Sequence, residues 1–242
     1  MRQTRLHTPQ SLSATDNVEL TGAAHHYLVR VLRMSAGDVV TLFNGDGWDY
    51  SGNILEVQRQ RALIKLIDRH FPGNESTLKI TLVQAITRGE RMDYSLQKAT
   101  ELGVYCIRPV TCDRADFRLD EKRQAKRLAH WQAVVVSACE QSGRAFVPDV
   151  KAPVSLGEWM AEADGSPRLM LNPQVEDKLS SFSTASNDVS ILVGPEGGFS
   201  DEENEQARAR GITAVTLGPR VLRTETAGPA AIAVLQAKLG DF

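Results

Sequence analysis

Two stretches in the last quarter of the chain concentrate the residue types that can do chemistry. The apolar run Ser190-Ile191-Leu192-Val193 opens into Gly194-Pro195-Glu196-Gly197-Gly198-Phe199, and Val215-Thr216-Leu217 opens into Gly218-Pro219-Arg220-Val221-Leu222-Arg223-Thr224-Glu225-Thr226-Ala227. Three glycines let a backbone approach a ligand and offer its N–H and C=O groups, which suits a flat heterocycle better than a triphosphate. The spacing is neither G-x-G-x-x-G nor G-x-x-x-x-G-K-[ST], and no Lys or Ser/Thr stands where phosphates and Mg²⁺ would need one, so a P-loop is excluded. On its own the first loop divides evenly between turn and site. The second loop breaks the tie. It crowds Arg220, Arg223 and Glu225 into six residues, and a solvated ion-paired face would not also hold Gly218-Pro219, Val221 and Leu222.

Both loops follow apolar strand patterns and precede helical ones. Residues 73–242 alternate such elements: a strand Ile80–Ile86, a helix Arg91–Leu102 closed by Gly103, a strand Cys106–Val110, a long helix from about Asp120 to Cys139, strands Leu169–Leu171 and Val189–Val193, a helix Asp201–Arg210 ended by Gly211, a strand Ala214–Leu217 and a helix Ala227–Leu239. Alternation of this kind predicts a parallel sheet with helices on both faces. Ligands then bind beyond the carboxyl ends of the strands, where both loops fall. Ser200-x-x-Glu203 reads as a capping box that anchors the exit of the first loop.

Residues 1–72 have a different rhythm. Val39–Phe43 and Trp48–Val57 flank the turn Asn44-Gly45-Asp46-Gly47, predicting a hairpin that Ala62–Ile67 extends to a meander. Gly22–Arg33 places Ala24, Leu28, Val31 and Leu32 at helical spacing with Arg30 and Arg33 outward. A small β-barrel with one helix is expected, joined through the polar segment 71–76. The domains are therefore 1–72 and 73–242.

Composition bounds the remaining classes. The 242 residues carry a net charge of −2, with 42% hydrophobic and 24% charged residues, as in an ordinary globular protein. Residues 1–72 hold eight Arg or Lys against seven acids, so neither part is a basic tail. The longest apolar patch, Ala133–Cys139, falls far short of the ~20 residues of a membrane span, and the N-terminus lacks the apolar core of a signal peptide. A cytoplasmic address is the expectation. Cys106, Cys112 and Cys139 match no zinc spacing and read as reduced, packed thiols, so no metal is expected.

The two loop strings resemble the signature of the ribosomal RNA small subunit methyltransferase E family, RsmE. The likeness extends to Gln97-Lys98-Ala99-Thr100-Glu101-Leu102-Gly103, to Glu140-Gln141-Ser142-Gly143-Arg144 and to His25-His26-x-x-x-Arg-Val-Leu-Arg. It covers essentially the whole chain. The pattern departs at Cys112-Asp113-Arg114-Ala115-Asp116-Phe117, where many members carry a Glu-Arg-Ser-type segment. The resemblance implies an α/β protein with an N-terminal PUA-like RNA-binding β-barrel and a C-terminal SPOUT domain, a parallel sheet with a deep trefoil knot. It implies methylation of N3 of a uridine in 16S ribosomal RNA with S-adenosylmethionine. It further implies a homodimer, with the site near the subunit boundary, acting on RNA within the assembled small ribosomal subunit.

Carried over, the resemblance puts the adenosine pocket at Leu171, Asn172, Gly194, Glu196, Gly198, Leu217, Gly218 and Leu222. A carboxylate would accept the N3 proton and a guanidinium would stabilise charge on the flanking carbonyls, making Glu196 and Glu225 the candidate bases and Arg220 and Arg223 the electrostatic groups. A structural ion pair is the competing role for each. Arg2, Arg5, Arg30, Arg33, Arg88 and Arg91 are the candidate phosphate contacts, and the pair His25-His26 reads as packing. The rival functions are a non-catalytic RNA-binding dimer and a related enzyme acting on ribose 2′-O or another base.

Overall fold

The computed structural model describes residues 4–115, 121–162 and 165–242; Arg2, Asp116, Phe117 and Asp120 lie outside them. The chain divides into two compact units, one of residues 1–75 with 139–147, the other of 76–138 with 148–242. Segment 139–147 thus belongs to the first unit, although the reading above assigns all of 73–242 to the second domain.

The first unit is built on strands β1 (Arg5–His7), β2 (Asn17–Thr21), β3 (Val39–Phe43), β4 (Asp49–Val57) and β5 (Arg61–His70), in the order β1-β3-β4-β5-β2. β1 and β3 are parallel and the remaining pairs antiparallel. Burial alternates along β2, β4 and β5 as a half-buried pleat requires. Leu20, Val40, Leu42, Ile54, Ile64 and Leu66 point into a shared core that Leu28 completes. Helix α1 (Gly22–His26) passes directly into a π-helical turn at Tyr27–Val31, where Leu32 N–H donates to the Tyr27 carbonyl. The wider turn breaks the 3.6-residue phase. Val31, placed by its spacing on the apolar face, is 56% exposed as a result.

Segment 139–147 is stitched to this unit at several points. Arg5 Nη1 donates to the Cys139 carbonyl, His7 N–H to Glu140, Gly47 N–H to the Ala145 carbonyl and Asn74 to the Gly143 carbonyl. Arg144, its side chain only 5% exposed, grips Glu75 through two nitrogens at 2.9 and 2.6 Å.

In the second unit, β6 (Lys79–Ala85), β7 (Cys106–Thr111), β8 (Asp149–Val150), β9 (Val154–Ser155), β10 (Arg168–Leu171), β11 (Asp188–Val193) and β12 (Thr213–Val215) form one sheet. The order is β12-β10-β11-β6-β7-β8, with β9 also on β7, and every pair is parallel. The helices are α2 (Glu90–Glu101), α3 (Glu121–Ser142, whose last residues from Cys139 belong to the first unit), α4 (Leu156–Ala161), α5 (Asp201–Ala209) and α6 (Thr224–Leu239). One apolar cluster joins Val83, Val110, Met170 and Leu192 of the strands to Trp159 of α4 and Ala207 of α5. Helix α6 starts at Thr224, three residues earlier than its apolar pattern indicates, and so takes Thr224 and Glu225 out of the loop. Buried Gly228 makes the approach possible: a Cβ there would sit 3.3 Å from Gln84 Oε1 and 3.4 Å from Leu82 Cδ1. The first turn of α6 is thereby held against β6 and β11. Among the described residues no helix is long and apolar enough to cross a membrane.

Candidate active site

The loops after β10, β11 and β12 enclose a cavity of about 630 Å³ at the carboxyl ends of three adjacent strands, within the usual ~300–1,000 Å³ of small-molecule sites. Leu171, Val193, Leu217 and Leu222 supply apolar wall, and Asn172, Gly194, Glu196 and Gly198 lie along it. The four residues chosen for chemistry, Glu196, Arg220, Arg223 and Glu225, all line this one space. Gly218 does not line it. Its N–H donates to Thr216 Oγ1, whose hydroxyl meets the Gly218 carbonyl, and its φ of +123° sets the turn behind the wall.

The glycine-rich loop is shaped largely by the protein's own packing. A Cβ on Gly194 would lie 2.9 Å from Cε2 of the Phe199 ring, so glycine is demanded by a neighbour five residues on. At Gly198 a Cβ would meet nothing within 4 Å, but the φ of +68° is one that side chains rarely adopt. Its N–H closes a turn onto the Pro195 carbonyl at 2.9 Å. The predicted capping box is present: Ser200 Oγ accepts from Glu203 N–H and Glu203 Oε2 from Ser200 N–H.

Two residues that sequence reasoning passed over tie the walls together. Thr224 Oγ1 donates to the Gly194 carbonyl at 3.1 Å, joining α6 to the glycine-rich loop. Asn204 accepts from Asn172 Nδ2 and donates to the Ser200 carbonyl, joining β10 to α5. Asn204 stands four residues after the Ser200 cap, one helical turn along; that spacing was the available signal.

The charged groups differ in what holds them. Glu196 pairs with Arg91 at 2.6 Å, both half exposed, an arrangement worth at most about 1 kcal/mol. Arg91 therefore sits at the cavity mouth with a carboxylate for company. Among the described residues Arg220 and Arg223 make no ion pair and are exposed. Glu225 has its Oε2 buried without a hydrogen-bond partner among the described residues. A buried carboxylate oxygen is costly to leave unmet, which makes this atom an unusual feature of the cavity wall.

Of the arginines read as phosphate contacts, Arg5 is used otherwise. Its Nη2 and Nε bind Asp49 at 2.5 and 3.1 Å, Nη1 takes the Cys139 carbonyl, the guanidinium lies 4.6 Å from the centroid of Phe43, and the side chain is 10% exposed. Each of its three nitrogens is engaged, and it is a structural residue. Arg30, Arg33 and Arg88 are exposed, Arg33 at a φ of +55°. His25 is buried with Nε2 3.0 Å from the Gln58 carbonyl, a packing role, whereas His26 is exposed, so the packing reading holds for one of the pair. Among the described residues no cluster of His, Cys, Asp and Glu is placed to hold a metal ion.

Profiles of an RNA methyltransferase domain and an RNA methyltransferase PUA domain match residues 74–236 and 20–67. Ribosomal RNA small subunit methyltransferase E of Buchnera aphidicola (subsp. Schizaphis graminum) is 33% identical, with 98% of this chain and 97% of the relative covered. The Neisseria gonorrhoeae protein of the same name, solved bound to S-adenosylmethionine, is 39% identical with a TM-score of 0.93 over all of both chains. A Legionella pneumophila protein, described as a methyltransferase in complex with the bound cofactor SAM, is 38% identical with a TM-score of 0.97, again over all of both chains.

Proposed function

Because this chain belongs to the ribosomal RNA small subunit methyltransferase E family, we propose that it transfers a methyl group from S-adenosylmethionine to N3 of a uridine in 16S ribosomal RNA. The enzyme class, the cofactor and the ribosomal RNA substrate follow from the family. The choice of N3 is the one the resemblance implies, and the site is suited to it. The central observation is a cavity with apolar walls that holds two guanidiniums without an ion pair among the described residues, Arg220 and Arg223, beside the carboxylate of Glu225.

The residues present fit the cofactor. Leu171, Val193, Leu217 and Leu222 suit the faces of adenosine, while Asn172 and the backbone of Gly194, Glu196 and Gly198 offer the polar contacts that fix its orientation. Bound there, S-adenosylmethionine supplies a methyl group activated by its sulfonium charge. The chain's part is positioning, which can supply much of the acceleration of a displacement between two held partners. Uracil N3 carries a proton that must leave. Glu225 is the acceptor favoured here, because Glu196 is already engaged by Arg91 whereas Glu225, which also lines the cavity, makes no ion pair among the described residues. Arg220 and Arg223 would meet the negative charge that builds on the uracil carbonyls. Phe199, 9% exposed beneath the loop, keeps water from the floor.

The same reading has the protein acting in the cytoplasm as a homodimer on the assembled small subunit. Nucleoside mass spectrometry of ribosomal RNA from a strain lacking the protein tests the assignment. Loss of 3-methyluridine alone is expected, and loss of a ribose-methylated nucleoside instead would overturn it.

A further inference from the structure

Arg114 reaches the cavity from the side opposite the loop after β12. It lies on the turn after β7, where Ala115 N–H closes onto the Cys112 carbonyl and both of those residues pack into the core of the sheet. The turn is latched to the start of α5. Asp113 N–H donates to Glu203 Oε1 at 2.9 Å, and Ser200 Oγ donates to Asp113 Oδ2 at 3.0 Å. Glu203, 6% exposed, thus caps its own helix with one oxygen and holds a loop 90 residues upstream with the other.

The latch brings Arg114 against the glycine-rich loop. A Cβ at Gly197 would come 3.3 Å from Arg114 Cβ, and Arg114 Nη1 donates to the Gly197 carbonyl at 3.3 Å. That single long bond leaves the other guanidinium N–H groups without a partner among the described residues, on an exposed side chain. Among the described residues the charged groups around the cavity are four arginines, Arg91, Arg114, Arg220 and Arg223, against Glu196 and Glu225. The excess is positive. A planar fork on a stiff base, facing a positive rim, is suited to a two-pronged grip on an oxyanion.

We propose that Arg114 binds a phosphate of the RNA beside the target nucleotide, and that Asp113, Ser200 and Glu203 are positioning residues that hold it at the mouth. The proposal rests on the function argued above and assigns a substrate contact to it. A methionine carboxylate could use the same guanidinium, so the test separates the two anions.

Full-length protein is assayed on small ribosomal subunits from a strain lacking it. Methylation by the unsubstituted protein tests the parent reading by itself. Given that activity, Arg114→Ala should raise KM for the subunits about tenfold or more, the value of one charge-assisted contact, with kcat within about threefold. The slope of log(kcat/KM) against log salt should become shallower by about 0.7, as one lost phosphate contact requires. Arg114→Lys should fall between. S-adenosylmethionine affinity by calorimetry and the melting temperature should stay unchanged. Asp113→Ala should raise KM less, and add nothing in the Arg114→Ala background. Unchanged KM and salt slope in Arg114→Ala would overturn the contact. Weakened cofactor affinity would assign the guanidinium to the cofactor, and an additive double variant would overturn the latch.

Discussion

Gly194→Ala is a sharp test of the site, because the distances state what must move. The new methyl would lie 2.9, 3.1 and 3.3 Å from three atoms of the Phe199 ring, and ordinary contact begins near 3.4 Å, so something must withdraw by 3.4 − 2.9, about 0.5 Å. The ring is 9% exposed and packs with Val83, Val110, Met170 and Leu192, a setting with little spare volume. The loop backbone faces a cavity instead and is the softer partner. Overpacking of this size costs about 1–3 kcal/mol, and a domain of this size loses roughly 3 °C per kcal/mol. We therefore expect a melting temperature lower by about 3–9 °C. Cofactor affinity should fall at least about tenfold, since the displaced backbone carries the Gly194 carbonyl that Thr224 holds. Phe199→Leu removes the obstructing ring atoms. The double variant should recover both quantities relative to Gly194→Ala, with a coupling of about 0.5–3 kcal/mol. Melting curves and calorimetry with S-adenosylmethionine on the four proteins decide the matter. A Gly194→Ala protein that melts and binds like the parent, or a double variant no better than it, would refute the packing argument.

Other expectations follow from the same contacts. Arg223 has no ion-pair partner among the described residues, so Arg223→Lys should leave thermal melting and cofactor affinity nearly unchanged while single-turnover methylation falls on the order of 10²-fold; a destabilised protein with a normal rate would remove it from catalysis. Burial pushes the Glu140 carboxyl above its usual range, against the opposing His7 N–H and Arg5. A raised folded-state pKa means the protonated form is favoured by folding: the contribution is present below about pH 4.5 and is lost as pH rises through the folded value. Glu140→Gln should thus be the more stable protein at pH 7 to 8, with the gap closing on acidification, and a gap that widens toward acid in urea melts would contradict this. Burial also raises all three free thiols, Cys139 to about 12 and Cys112 strongly, so a disulfide reagent at about pH 8 should label the native protein far more slowly than the denatured one. Rapid labelling of Cys139, mapped by mass spectrometry, would count against its packing. Residues 1–75 expressed alone lack segment 139–147 and with it the partner of Glu75 and the acceptors for Arg5 and His7. They should melt well below the first unit of the intact chain, and equal amide-exchange protection in the two would show the segment to be dispensable.

Local patterns were legible wherever a residue's fate depends on neighbours a few positions away. The apolar runs of β6, β10 and β11, the Ser200/Glu203 box, and Gly103 and Gly211 at helix ends with φ of +85° and +73° are settled within one or two turns of chain. The chemistry-bearing loops were found for the same reason: each is an apolar strand followed at once by glycine, proline and charge. Periodicity failed where backbone geometry left the 3.6-residue register, as in the π-helical turn that puts Val31 outside. It also underestimated α6, since Thr224-Glu225-Thr226 carries no apolar stripe and is helical because Gly228 lets the helix lie on β6 and β11.

Decisions made across large sequence separations could not be read from the residues alone. Arg5 reads as a free cation until Asp49, 44 positions away, is brought to 2.5 Å from it. Segment 139–147 reads as part of the second domain until Arg144 meets Glu75. Gly194 looks like room for a ligand and proves to be room for Phe199. Of the two candidate bases, one faces Arg91 and the other has an oxygen with no partner among the described residues, a distinction their shared residue type conceals. Strand order β12-β10-β11-β6-β7-β8 belongs to the same class. Hydrophobic periodicity assigns each strand a buried face without specifying its neighbour, because that choice depends on long-range packing and loop-closure entropy summed over the whole chain.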